Sequence, residues 1–173
     1  MIIFVGGVHG VGKSTCCAQV ASALACMHVR ASDIIRQRRT DAVATQGKLV
    51  ADIDANQALL LQGFEQIKKS AGGTSILLDG HFVLRDLSGS IQRLPSILFA
   101  GLGLSQLVCF EDSPLSIAKR MHERDGIAVA ASDVAALQTE ELNHAQKVAV
   151  ALQIPLRVLS GFAVHELQKV ASP

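Results

Sequence analysis

The sequence predicts a three-layer α/β/α domain built on a five-stranded parallel sheet with a small helical lid. Short apolar, partly β-branched runs alternate with stretches of helical periodicity from one end of the chain to the other. Apolar residues are 49% of the 173 and charged residues only 18%, which favours a sheet covered on both faces. Strands separated by helices imply right-handed crossovers, and such sheets bind ligands at the carboxyl ends of their strands. The length suits one domain spanning 1–173, with no internal repeat or linker.

Residues 2–5, Ile-Ile-Phe-Val, read as a buried first strand ending at Gly6-Gly7. From Lys13 to about Met27 there is no Gly or Pro, and Val20, Ala21, Leu24 and Ala25 have helical spacing. His28–Ala31 suggests a short second strand. Ser32 is an N-cap for a helix over 33–45, and Asp52–Ser70 reads as a longer amphipathic helix stopped by Gly72 and Gly73. Ser75–Asp79 is an apolar strand delivering a carboxylate at its end, and Ser105–Phe110 repeats the pattern before Glu111 and Asp112. Between them, 87–92 reads as a polar loop. Helices over about 114–124 and 133–152 flank Asp125–Ser132, and a strand at Leu156–Leu159 precedes a last helix after Gly161.

The formal charge of +1 gives no overall field to recruit nucleic acid or an anionic membrane, so the 16 Lys and Arg matter by local placement. Cys16, Cys17, Cys26 and Cys109 have neither metal-site spacing nor disulfide-scaffold density and read as reduced core thiols. The first apolar run has no basic leader and stops at Gly6, which argues against a signal peptide or a membrane span. A cytoplasmic location is the resulting expectation, and an oligomer is left open.

Gly7-Val8-His9-Gly10-Val11-Gly12-Lys13-Ser14 satisfies the Walker A pattern G-x-x-x-x-G-K-S/T in every fixed position, between a strand and a helix start. Glycines let successive backbone N–H groups face one anion, the helix N-terminus adds its dipole, and Lys13 reaches the β- and γ-phosphates. Gly7, Gly10, Val11, Gly12, Lys13, Ser14 and Thr15 are therefore the expected ATP-binding set, with Ser14 on Mg2+ and Thr15 near the α-phosphate. Asp79 is the Walker B candidate, placed to hold magnesium or to accept a substrate proton. Neither Asn56 nor Asn143 begins the Asn-Lys-x-Asp that a GTPase needs. The Ser-Gly pair at 88–89 follows Asp79, where a transporter-ATPase signature would precede it. A remodelling ATPase would need an extra helical domain and sensors after residue 132. A small kinase remains.

The chain resembles the archaeal-type adenylate kinases and the related adenylate kinase-like ATPases of nuclear bodies and ribosome maturation. Five segments carry the resemblance over most of the length: "GGVHGVGKST", "ILLDGHFVLR", "GSIQRLP", "LVCFEDSPLSIAKRMHERD" and "EELNHAQKVA". It implies an ATP- and magnesium-dependent phosphotransferase acting on a nucleoside monophosphate or another small phosphate or hydroxyl acceptor. It also implies an acceptor segment over about 32–72 with Arg36 on the acceptor's phosphate, since an arginine fork pairs with phosphate oxygens at any relevant pH, and with Asp33 near the acceptor, which suits a hydroxyl. His81 and Arg85 would face the same acceptor. Arg120 and Arg124 would join Lys13 and Asp79 as catalytic groups at a lid over about 124–132, whose closure excludes water. Two departures stand out: Gly126–Ser132 carries no arginine, and Asn143-His144 stands where the family has Asn-Arg, leaving Lys147 as the substitute. These motivate two alternatives, a nucleotide-switched ATPase with a protein or RNA partner and a kinase for a hydroxylated metabolite.

Overall fold

The computed structural model describes residues 1–46, 53–86, 88–126 and 128–172. Its sheet strands are β1 (Ile2–Gly7), β2 (Met27–Arg30), β3 (Ile76–Asp79), β6 (Gln106–Glu111) and β7 (Leu156–Ser160). They lie in the order β2-β3-β1-β6-β7, and every neighbouring pair is parallel. β3 therefore sits between β1 and β2, and the crevice where the order reverses opens at the carboxyl ends of β1 and β3. β3 is buried at all four positions and β1 at all but its first, which explains why both read as unbroken apolar runs.

Two cores cover the faces. On one, α1 (Lys13–Leu24), α5 (Pro114–Asp125) and α7 (Val164–Ala171) pack Val20, Ile117 and Leu167 against Val5, Leu77 and Phe110. On the other, α3 (Ile53–Ser70), α4 (Ser96–Leu102) and α6 (Ala131–Leu152) pack Phe64, Phe99 and Val148 against Phe4, Leu78 and Cys109. All four cysteines are free, as expected, and burial pushes the Cys109 thiol up to about 12.

α2 (Ala31–Gln46) starts directly after β2, so Ser32 lies inside the helix rather than capping it. Residue 52, the expected start of the next helix, lies outside the described residues, and α3 begins at Ile53. The supposed polar loop is a hairpin of β4 (Val83–Arg85) and β5 (Ile91–Arg93), whose turn is organised by one side chain. Asp86 accepts the Ser88 and Ser90 N–H groups at 2.9 and 3.0 Å, the Ser88 hydroxyl at 2.6 Å and the Gln92 amide at 2.8 Å. Three-residue strands leave too little alternation to read. α4 escaped for the opposite reason: Ser96–Leu102 is almost wholly apolar and shows no period. Between α5 and α6 the described residues 126 and 128–130 form no helix, and residue 127 of the expected lid lies outside the described residues. Among the described residues no helix is long and apolar enough to cross a membrane.

Candidate functional site

The phosphate loop joins β1 to α1 through Gly7, Gly10 and Gly12 at φ +138, +80 and +106°. A Cβ on Gly7 would sit 2.6 Å from the carbonyl oxygen of Phe110 in β6, and one on Gly10 would meet Met121 Cγ of α5 at 2.7 Å. Glycine is required at both by the backbone angle and by the approach of neighbours. The turn delivers Lys13 into the protein at 5% exposure, its Nζ 3.4 Å from the Val8 carbonyl oxygen and 3.9 Å from Asp79 Oδ1. Burial lowers the Lys13 pKa, opposed by the charges of Asp79 and Glu141.

Asp79 ends β3 and is also 5% exposed. The Ser14 hydroxyl donates to its Oδ2, and His28 Nε2 of β2 stands 3.5 Å from the same oxygen. Burial alone would raise the Asp79 carboxyl, but His28, the Lys13 charge and the Ser14 hydroxyl outweigh it and hold the group below the ordinary carboxylate value. The two residues expected on magnesium are thus brought into contact by a helix start and a strand end. Two hard oxygen donors beside a phosphate cradle fit Mg2+, which takes one or two protein ligands and completes its shell with water and phosphate oxygens.

Among the described residues three cavities adjoin the loop. One of about 380 Å³ is fronted by Gly10, Lys13 and Thr15 and walled by Arg120 and Phe162. Arg120 donates from Nε to the Gly10 carbonyl at 3.0 Å and from Nη2 to Asp112 Oδ2 at 2.7 Å, with its guanidinium 5.3 Å from the Phe162 ring centre. Arg124 ends α5 beside His9 of the loop at 2.5 Å and pairs with Asp125 at 2.7 Å, which depresses the Asp125 carboxyl to about 2. Both arginines therefore reach the phosphate loop.

The largest of the three, about 680 Å³, is lined by Lys13, Ser14, Asp79 and His81 together with the apolar side chains of Phe4, Leu98, Phe99 and Leu102. Its size is that of a small-molecule site. Asp33 and Arg36 are not on its wall: they pair with each other at 2.8 Å on the exposed side of α2. Arg30, which sequence reasoning passed over, is on the wall, in register with Asp79 across the sheet. Arg85 lies apart, in a third cavity of about 450 Å³ with His9 and Val134, and donates to the Asp133 carbonyl at 3.5 Å. His81 fronts both that cavity and the largest. His144 is a core residue, buried at 6% with Nε2 2.5 Å from the Leu94 carbonyl. Lys147 lines a surface groove with Arg93 and Asn143, away from the loop, so it does not replace the missing arginine.

Glu141 was also passed over, although it carried a signal. It stands seven residues from both Val134 and Val148, a carboxylate on a buried helical stripe. It is wholly buried. Phe162 and His28 carried none, since their importance comes from strands and loops distant in sequence.

With this geometry in hand, comparison with known proteins narrows the reading. A solved gluconokinase from Sinorhizobium meliloti 1021 superimposes with a TM-score of 0.54 at 17% identity, covering 98% of this chain and 92% of that one, a likeness of fold. A curated relative, "ATPase ASNA1 homolog" of Babesia bovis, is 28% identical over 118 residues, 68% of this chain. The matched part is 32% of that relative's length. A family model described as "AAA domain" matches residues 6–138. That stretch runs from within β1 into α6 and takes in the phosphate loop, Asp79 and the α5 arginines, so the protein belongs to this AAA-domain family, as a P-loop nucleoside triphosphatase of kinase-like fold.

Proposed function

We propose that the chain is an ATP- and magnesium-dependent small-molecule kinase that transfers a γ-phosphoryl group to a hydroxyl of a metabolite held in the 680 Å³ cavity. One observation carries the reading: Lys13, Ser14 and Thr15 front both that cavity and the smaller one bearing Arg120, so a single loop faces a donor space and an acceptor space. The bond between the γ-phosphorus and the ADP oxygen breaks as the bond to the acceptor oxygen forms. The acceptor's hydroxyl proton passes to the Asp79 carboxylate, whose lowered pKa keeps it ionised at neutral pH. Lys13, Arg120 and Arg124 offset charge on the transferred group. Ser14 and Asp79 would hold magnesium, which would supply positive charge to the phosphates of the bound nucleotide. The free thiols suit a reducing cytoplasm.

A nucleoside monophosphate acceptor is the weaker form of this reading, because Arg36 is engaged with Asp33 away from the cavity. The fold shared with a gluconokinase supports a hydroxyl acceptor. The likeness to an ATPase favours a second reading, in which ATP binding and slow hydrolysis switch contact with a protein or RNA partner. Incubation with γ-labelled ATP and panels of nucleoside monophosphates, nucleosides and hydroxylated metabolites separates these. Label in a hydroxylated metabolite, absent with Lys13→Ala, supports the kinase. Label found solely in free phosphate, at a rate indifferent to every acceptor, overturns it.

A further inference from the structure

A carboxylate in an apolar core is costly unless both oxygens are satisfied. Those of Glu141 are: Oε2 accepts the Phe82 N–H at 2.7 Å, and Oε1 lies 3.0 Å from His81 Nδ1. Phe82 is locked among Phe4 and Phe99, with ring centres 5.0 and 5.5 Å away, so the peptide that holds Glu141 is itself held by the core. An ionised carboxylate offers only lone pairs, which places the imidazole proton on Nδ1. Nε2 then keeps its lone pair, on a side chain 32% exposed that fronts the cavity containing Lys13, Ser14 and Asp79. Satisfying Phe82 N–H needs one oxygen, and the second orients a ring on the wall of the cavity that Lys13, Ser14 and Asp79 also line.

We propose that Glu141 is a positioning residue for phosphoryl transfer: it fixes His81 as the Nδ1–H tautomer, so that Nε2 accepts a hydrogen bond from a second hydroxyl of the acceptor and thereby aligns the attacking oxygen, whose own proton goes to Asp79, on the γ-phosphorus. The catalytic consequence rests on the kinase reading above; the tautomer does not. Phosphoryl transfer depends chiefly on such alignment and on charge stabilisation, since the protein has little covalent chemistry to perform.

Glu141→Gln is the discriminating variant. Its amide oxygen must face the Phe82 N–H, which turns the NH2 toward His81 and drives the ring proton to Nε2 with almost no change of shape. Nitrogen NMR of histidine-labelled protein, with the His81 signals identified by their loss in His81→Gln, reads the tautomer directly. The expected result is Nδ1–H in the wild type and Nε2–H in Glu141→Gln. Affinity for a fluorescent ATP analogue should stay within about twofold, with kcat lowered roughly ten- to a hundredfold at unchanged KM for ATP. A wild-type ring protonated on Nε2 overturns the proposal, as does a flipped tautomer with wild-type kcat. If Glu141→Gln does not fold, the wild-type spectrum and the kcat of His81→Gln decide, an undiminished kcat being fatal. If the wild type hydrolyses ATP but phosphorylates no acceptor, the kinase reading fails, and the same comparison is made on hydrolysis, with water as the attacking hydroxyl.

Discussion

Lys13 illustrates what a single side chain does here: an ammonium at 5% exposure survives because Asp79 and Glu141 supply the opposite charge that water no longer can. Lys13→Ala removes the group proposed to reach the β- and γ-phosphates, and turnover of ATP should fall by roughly a hundredfold or more, measured as ADP release under saturating ATP. Asp79 makes a prediction about acid. Its folded pKa lies below the ordinary 3.8, so its contribution to stability is complete above that value and is lost as pH falls from there through the folded value. Melting curves taken between about pH 5 and pH 2 should show an acid limb that Asp79→Asn flattens, because the variant has no proton to bind there. Arg36 shows the limit of reading a residue from its neighbours in sequence. A basic residue three positions after Asp33 reads equally as a phosphate ligand or as half of a helical ion pair, and the structure contains the pair.

At the scale of elements, α2 and α3 meet through a missing side chain. A Cβ on Gly63 would overlap Ile34 Cγ2, so this glycine in mid-helix is what lets the two helices close on each other. Alanine is ordinarily the better helix former by about 1 kcal/mol. Gly63→Ala should nevertheless destabilise the protein, by roughly 1–3 kcal/mol in a denaturant titration, because α2 must shift to admit the methyl group. The same pair of helices is clasped by Arg39, whose Nε and Nη2 both donate to Asn56 Oδ1, at 3.0 and 2.7 Å. At the other end of the crevice, α5 is tied to the phosphate loop by Arg120, through Gly10 and Asp112 together. Arg120→Lys keeps the charge but not the fork. It should lose most of the activity that Arg120→Ala loses, about tenfold or more in kcat, when both are compared at saturating ATP.

Taken whole, the proposed nucleotide site draws its groups from the loop after β1 and from α1, β3 and α5, elements that are adjacent only when folded. Ligand that binds this arrangement and not the unfolded chain must raise stability, by about 2.7 kcal/mol at a hundred times its dissociation constant. For a chain of this length that corresponds to a rise of several degrees in melting temperature. A non-hydrolysable ATP analogue with magnesium should produce that rise in the wild type and little of it in Lys13→Ala, with thermal melts at increasing ligand as the measurement.

The sequence by itself determined the phosphate loop, because Gly7 to Ser14 is a local object: a strand end, a turn whose glycines meet its backbone angles, and a helix start, all contiguous. It determined Asp79 for the same reason, as the polar end of an apolar strand, and with it the parallel sheet, since five apolar runs separated by helices leave few other solutions. It did not disclose the hairpin 83–93, whose turn depends on the side chain of Asp86, nor α4, whose uniform apolarity erases the helical period. Only the tertiary structure decided which charged residues face the 680 Å³ cavity. Arg30 enters it from β2, Arg36 turns away, and Glu141 arrives from a helix sixty residues beyond His81 to hold that ring. Placements of this kind depend on the order of strands and the rotation of helices about their axes, quantities that spacing along the chain does not contain.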